Sequence, residues 1–186
     1  MNYSAFADAP GRGAQLFETD SGKRVLVVNL LGRVFMDALD DPFAAVDGEL
    51  EACPLGAVAD AIIVDIHAEA TSEKMAMGHF CDGRASLVVG THSHVPTADA
   101  QILPGGTAYQ TDAGACADYD SVIGNDKEEP LRRFTTRISG GRYQPASGPA
   151  TICGVYVETD DRTGLAIRVE PVRVGGRLSQ TIPAVS

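Results

Sequence analysis

The sequence predicts an α/β fold in which layered sheets are covered by helices. Three strand-length apolar runs carry that expectation: RVLVVNLL (24–31), AIIVDI (61–66) and SLVVG (86–90). Helical segments separate them, and the C-terminal part reads as paired strands. Strands and helices mix without a regular βαβ rhythm, which favours a layered sandwich.

The elements follow in order. Residues 1–13, ending in Pro10-Gly-Arg-Gly13, read as an extended loop. Ala14 to Glu18 is a short strand, turned by Asp20-Ser-Gly22 into Arg24 to Leu31, which reads as buried on both faces. Asp40-Asp-Pro42 opens a helix with an aspartate cap and a proline in the first turn, and Pro54 stops it. Ala61 to Ile66 is a second buried strand and delivers His67 at its C-terminal end. Thr71 is placed to cap the next helix, SEKMAMGHFCD, which closes at Gly83. Ser86 to Gly90 is the third buried strand and delivers Thr-His-Ser-His. Pro104-Gly-Gly106 is a turn, Thr107 to Thr111 a short strand and Lys127 to Phe134 a short helix. Ile152 to Thr159 and Gly164 to Val174 form a hairpin around Asp160-Asp-Arg-Thr-Gly164.

Composition bounds the function. With 186 residues, 44% hydrophobic and 22% charged, the chain fits one folded domain. A formal charge of -10 argues against a broad nucleic-acid surface. It leaves room for a small phosphate substrate beside bound cations, whose charge would dominate their own pocket. Cys53, Cys81, Cys116 and Cys153 are scattered, as expected for reduced, mostly buried thiols in a cytoplasmic protein. No signal peptide or membrane-spanning run is evident.

Three of the four histidines fall at two strand–loop junctions. His92 and His94 are one residue apart, so an extended segment would project both rings to one side. Neutral imidazoles are good ligands for zinc, manganese, iron or copper, and His67 from a neighbouring strand would complete a three-point clamp. A bare H-x-H is a weak signal, and the matching position of His67 strengthens it. His79, mid-helix beside Met77 and Phe80, reads as a surface or packing residue. Asp65 is assigned a structural role, off the face of His67. Glu69 and Asp99 are candidates to orient a ligand from behind. Glu73 is either another such candidate or part of a solvated helix start.

The segments VDIHAEATSEKMAMG (64–78), DGRASLVVGTHSHVPTADAQILPGGTAYQTDAG (82–114) and YDSVIGNDKEEPLRRF (119–134) resemble the YmdB-like metallophosphoesterases. These are bacterial members of the calcineurin-like superfamily linked to 2′,3′-cyclic nucleotide phosphodiesterase activity. The resemblance runs from Asn2-Tyr3 to the last hairpin. It implies an α/β/β/α sandwich with a dinuclear iron or manganese centre, whose metal-bound hydroxide hydrolyses a small phosphodiester. His67, His92 and His94 match the family's metal ligands, His67 and His92 on one ion and His94 on the other.

The family's early G-D strand, its glutamate-asparagine pair and its N-H motif, with the general-acid histidine, have no counterpart here. Residues 1–186 are therefore expected to form a single, incomplete domain, the C-terminal two-thirds of the family's chain. That is a partial sandwich lacking its N-terminal strands. Such a chain is expected to be inactive alone, and its bare sheet edges would favour self-association into a homo-oligomer. The alternative expectation is a non-catalytic metal-binding or regulatory short form acting with a partner chain.

Overall fold

The computed structural model of the protein describes Asn2 and residues 10–184. The expected N-terminal loop lies mostly outside these residues. Asn2 itself is buried, donating to the carbonyls of Leu31 and Asp40 and accepting from the Leu31 amide.

Six strands form one mixed sheet in the order β1-β2-β3-β4-β6-β5, with β1 at Ala14–Glu18, β2 at Arg24–Leu31, β3 at Ala61–His67, β4 at Leu87–Thr91, β5 at Gln101–Ile102 and β6 at Ala108–Gln110. Strands β2, β3, β4 and β6 pair in parallel, while β1 and β5 are antiparallel edges. The second sheet is β7-β8-β9 (Ala117–Asp118, Ala150–Thr159 and Ala166–Val174). Its β8–β9 pair is the expected hairpin, with a register irregularity at Glu158/Thr159.

Helix α1 (Pro42–Ala52) packs on β2, and α2 (Thr71–Phe80) packs on β4. The connectivity β2-α1-β3-α2-β4 is thus two consecutive parallel βαβ units. This corrects the expectation of no βαβ rhythm, because the antiparallel strands added at both ends mask the pattern in sequence.

Each helix seats for a local reason. Asp41 accepts the Phe43 amide at 2.9 Å and Pro42 opens α1, as expected, which points Pro42, Val46 and Leu50 inward at four-residue spacing. Thr71 does not cap α2. Ala70 holds the cap position without a side-chain bond, and Thr71 is the first helical residue. Gly78 lets α2 sit on β6, since a Cβ there would lie 2.6 Å from the Tyr109 ring. The third helix, α3 (Glu128–Thr136), lies between β7 and β8 in the chain.

The strands are not buried equally on both faces. In β2 and β3 every second residue is fully covered: Leu26, Val28 and Leu30, then Ile62, Val64 and Ile66. These face α1 and α2 and form the main core. The opposite face of β2 stays half-exposed, which corrects the expectation of double burial. A smaller cluster of Leu87, Ala108 and Ala166, with Ile63, Val89, Val155, Val157 and Val169, joins the two sheets. The layering is therefore helix, sheet, sheet, the α/β sandwich that the sequence predicts.

Candidate functional site

Because β3 and β4 are parallel and adjacent, their C-terminal ends lie side by side. Register pairs His67 with Thr91 and Asp65 with Val89. Sites in α/β sheets form beyond such ends, and here the junctions bring two of the expected histidines together. His67 Nε2 and His92 Nδ1 stand 3.0 Å apart, with the rings edge to face at 83°.

Each ring is held from its far side. Thr91 Oγ1 donates to Asp65 Oδ1 at 3.1 Å, so its one proton is spent and it accepts from His67 Nδ1–H at 3.0 Å. That fixes the His67 tautomer and leaves the Nε2 lone pair facing His92. Asn29 secures the other oxygen of Asp65 at 2.7 Å. Asp65 therefore acts on the same face as His67, which corrects its assignment to the opposite one: residues two apart on a strand share a face. Burial, joined by the neighbouring His92 ring and opposed by Asp65, holds His67 below the usual imidazole range.

Glu69 is in contact with the site: its Oε2 lies 2.6 Å from His92 Nε2. His92 is thus flanked by an acceptor at each nitrogen, the lone pair of His67 and the carboxylate of Glu69. A neutral ring carries one N–H and satisfies one of them. A second proton, or a cation between the two facing nitrogens, satisfies the other. The spacing suits a cation, since two nitrogens each about 2.0–2.1 Å from one ion subtend about a right angle at this separation.

His94 is presented differently. The segment after β4 is not extended: His92 has φ 119° and His94 φ 65°. The extended segment on which the expectation of both rings on one side rests is absent, because positive φ at both histidines breaks the strand alternation. His94 is exposed, and its carbonyl accepts from Tyr119 Oη at 3.1 Å. Among the described residues, no three or more His, Cys, Asp or Glu side chains converge into a full ligand shell.

The remaining candidates separate clearly. Asp99 bonds Thr111 through its backbone amide and hydroxyl and meets no histidine ring. Burial raises its carboxyl, but the bonds from Thr111 and Thr97 outweigh that and hold it below the usual range. Glu73 is neither a solvated helix start nor a ligand support: it is buried and accepts the Arg33 and Val34 amides, tying the loop after β2 to α2. His79 is exposed, as expected.

Two residues without an assigned role in the sequence matter here. Lys74 and Asp112 form an ion pair at 3.0 Å, with side chains only 2% and 1% exposed. Asp112 also accepts the Ser93 amide at 2.8 Å, between the two histidines, and the Gly114 amide at 2.9 Å. Burial pushes this carboxyl upward, yet these donors and Lys74 together hold it below the usual range. A signal for the pair existed: Lys74 falls on the same helical stripe as Met77 and Gly78, and a lysine on a buried stripe requires a carboxylate partner.

Comparison with known proteins decides the family. The model of the YmdB-like protein family matches residues 1–172. The chain belongs to the YmdB-like family. A 2′,3′-cyclic-nucleotide 2′-phosphodiesterase of Bacillus subtilis is 46% identical over 171 residues, which is 89% of this chain and 61% of that protein. Among solved structures, a hypothetical protein from Thermus thermophilus superposes with a TM-score of 0.83 at 43% identity, covering 95% of this chain and 66% of that one. A phosphatase from Mycoplasma pneumoniae gives 0.81 at 33% identity, covering 94% and 62%. The YmdB-like chain thus spans about three-fifths of the length of the curated relatives it matches. The longest described helix, α1, has 11 residues, and none of the described helices is long and apolar enough to cross a membrane.

Proposed function

We propose that this chain supplies the histidine side of a metal-dependent phosphodiesterase site, with His67 and His92 as ligands of one ion and His94 as a ligand of a second. The observation that carries the reading is the 3.0 Å approach of His67 Nε2 to His92 Nδ1, with the outer nitrogens held by Thr91–Asp65 and by Glu69. Metal-ligating histidines commonly bond a carboxylate, carbonyl or hydroxyl through the second nitrogen, which orients the ring and raises its basicity.

Bound divalent ions, iron or manganese by the family resemblance, would polarise a phosphoryl oxygen and make water nucleophilic near neutral pH. The chain's own residues prepare for this. Asp65 and Thr91 keep the proton of His67 on Nδ1, and Glu69 accepts from His92 Nε2–H, so both facing nitrogens offer their lone pairs to an ion. The substrate class is a small phosphodiester such as a 2′,3′-cyclic nucleotide, by likeness to the Bacillus subtilis enzyme. Residues 1–186 contain no Asn-His dipeptide to match the family's general acid. General-acid catalysis is typically worth about 10²–10⁴ in rate, so these residues alone are expected to turn over slowly.

Equilibrium dialysis of the protein against Mn²⁺, followed by metal analysis, tests the ligand assignment. His67→Ala and His92→Ala are expected to lose the same equivalent of metal, and the two changes together no more than either alone. Unchanged metal content in both variants would sink the proposal. Metal-dependent hydrolysis of 2′,3′-cyclic AMP, lost in His92→Ala, tests the substrate assignment.

A further inference from the structure

We propose that the buried Lys74–Asp112 pair is a positioning device that holds the 92–94 turn in its left-handed shape and fixes its distance from His67. The inference rests on the reading of His67, His92 and His94 as metal ligands.

Non-glycine residues with positive φ are uncommon, and two of them flanking one residue persist only where the surroundings over-determine the backbone. Here the surroundings are the segment 110–115, which lies along the turn. Ala113 N donates to Gly90 O at 2.9 Å, Thr97 N to Asp112 O at 3.0 Å and Asp112 N to Thr97 Oγ1 at 2.9 Å. Among the described residues, the side chain that reaches the backbone amide between the two histidines is that of Asp112, through Ser93 N. The same oxygen, Oδ2, accepts from Lys74 Nζ.

Lys74 stands on α2, the helix entered directly from the His67–Glu69 loop. The pair is therefore a strut between the two ligand-bearing loops. Space is cleared for it: a Cβ on Gly90 would lie 1.8 Å from Thr111 O and 2.7 Å from Lys74 Cδ. A pair kept only for stability would not need its carboxylate aimed at the one amide between two ligand candidates. Replacing a buried pair by apolar groups of similar volume is often neutral or stabilising, so a purely stabilising role and a positioning role can be separated.

The test compares two neutral replacements by Mn²⁺ titration, with melting curves and amide exchange at Ser93. Lys74→Met with Asp112→Asn removes the charges but keeps a side-chain carbonyl for Ser93. Lys74→Met with Asp112→Leu removes that acceptor as well. The first keeps the acceptor for Ser93 N but loses the charged tie to α2, and is expected to bind Mn²⁺ a few-fold more weakly than the parent. The second is expected to bind at least about tenfold more weakly, in the range of lost ligand-orienting partners, with rapid exchange at Ser93 and a cooperative melt. Equal Mn²⁺ affinity in both variants overturns the inference. If the Leu variant does not fold, Lys74→Met with Asp112→Ala replaces it, a smaller change that also removes the acceptor for Ser93 N; Mn²⁺ affinity unchanged in that variant overturns the inference too. A failure of the underlying reading looks different: the parent and a His67→Ala, His92→Ala double variant would then bind Mn²⁺ alike.

Discussion

Thr91→Val isolates the link between strand pairing and site chemistry. The substitution keeps the β-branched shape that suits the end of β4 but deletes the hydroxyl between His67 Nδ1 and Asp65 Oδ1. Two side-chain hydrogen bonds disappear. At about 0.5–1.5 kcal/mol net for each, and with Thr91 only half-buried, the cost to folding is about 1–2 kcal/mol. Asp65 keeps its bond from Asn29, so the network is opened rather than dismantled. The larger expected effect is on metal affinity, since loss of a ligand-orienting partner typically costs about 10–100-fold. Urea denaturation reads the first quantity and Mn²⁺ titration the second. Thr91→Ser, which restores the hydroxyl, should recover most of both. The reasoning is refuted if Thr91→Val binds Mn²⁺ like the parent, or if Thr91→Ser binds as weakly as Thr91→Val.

Other outcomes follow from the same geometry. Lys74→Met leaves Asp112 with the Ser93 and Gly114 amides, so its cost should sit near the lower end of the about 3–5 kcal/mol for breaking a buried pair; urea denaturation showing a loss below about 1 kcal/mol would contradict the burial argument. Asp112 and Asp99 are both held below the usual carboxyl range, so each contributes stability above the unfolded pKa of about 3.9 that is lost as pH falls through the folded value. The urea midpoint should therefore fall with acidification below about pH 4, less steeply in Lys74→Met with Asp112→Asn; equal slopes would contradict this. All four cysteines are free, with Cys53, Cys81 and Cys153 buried and Cys116 exposed, and burial pushes the Cys81 thiol up to about 12. A thiol reagent should therefore label Cys116 rapidly and Cys81 only on unfolding, as peptide mapping would show.

The sequence made the scaffold legible where a single physical cause dominates. Residues 24–31 and 61–66 are apolar enough to be strands whatever surrounds them, and Asp41-Pro42 starts α1 through a local cap. Local chemistry likewise placed the β8–β9 hairpin around the Asp160–Gly164 turn. Strands β5 and β7, of two residues each, have no periodicity to read, because they exist only through their partners.

At the site, His67 and His92 were legible as a pair because adjacent parallel strands bring their C-terminal ends together. The shape of the 92–94 turn was not. Positive φ at two histidines is imposed by contacts with residues 110–115, about twenty positions away, and no local propensity announces it. Lys74 was readable from its buried stripe, whereas identifying Asp112 as its partner needed the three-dimensional register of β4 against β6. Asp65 was misread through the strand period itself, and the alternation that buries Ile62, Val64 and Ile66 puts Asp65 and His67 together on the other face.

The central claim is that the facing nitrogens of His67 and His92 bind one metal ion. X-ray absorption at the manganese edge of the Mn²⁺-loaded protein tests it most directly. The expected result is imidazole scattering from the nearest neighbours of the bound ions, strongly reduced in the His67→Ala, His92→Ala double variant and largely retained in His94→Ala. A shell of oxygen donors only, unchanged by the double substitution, would contradict it.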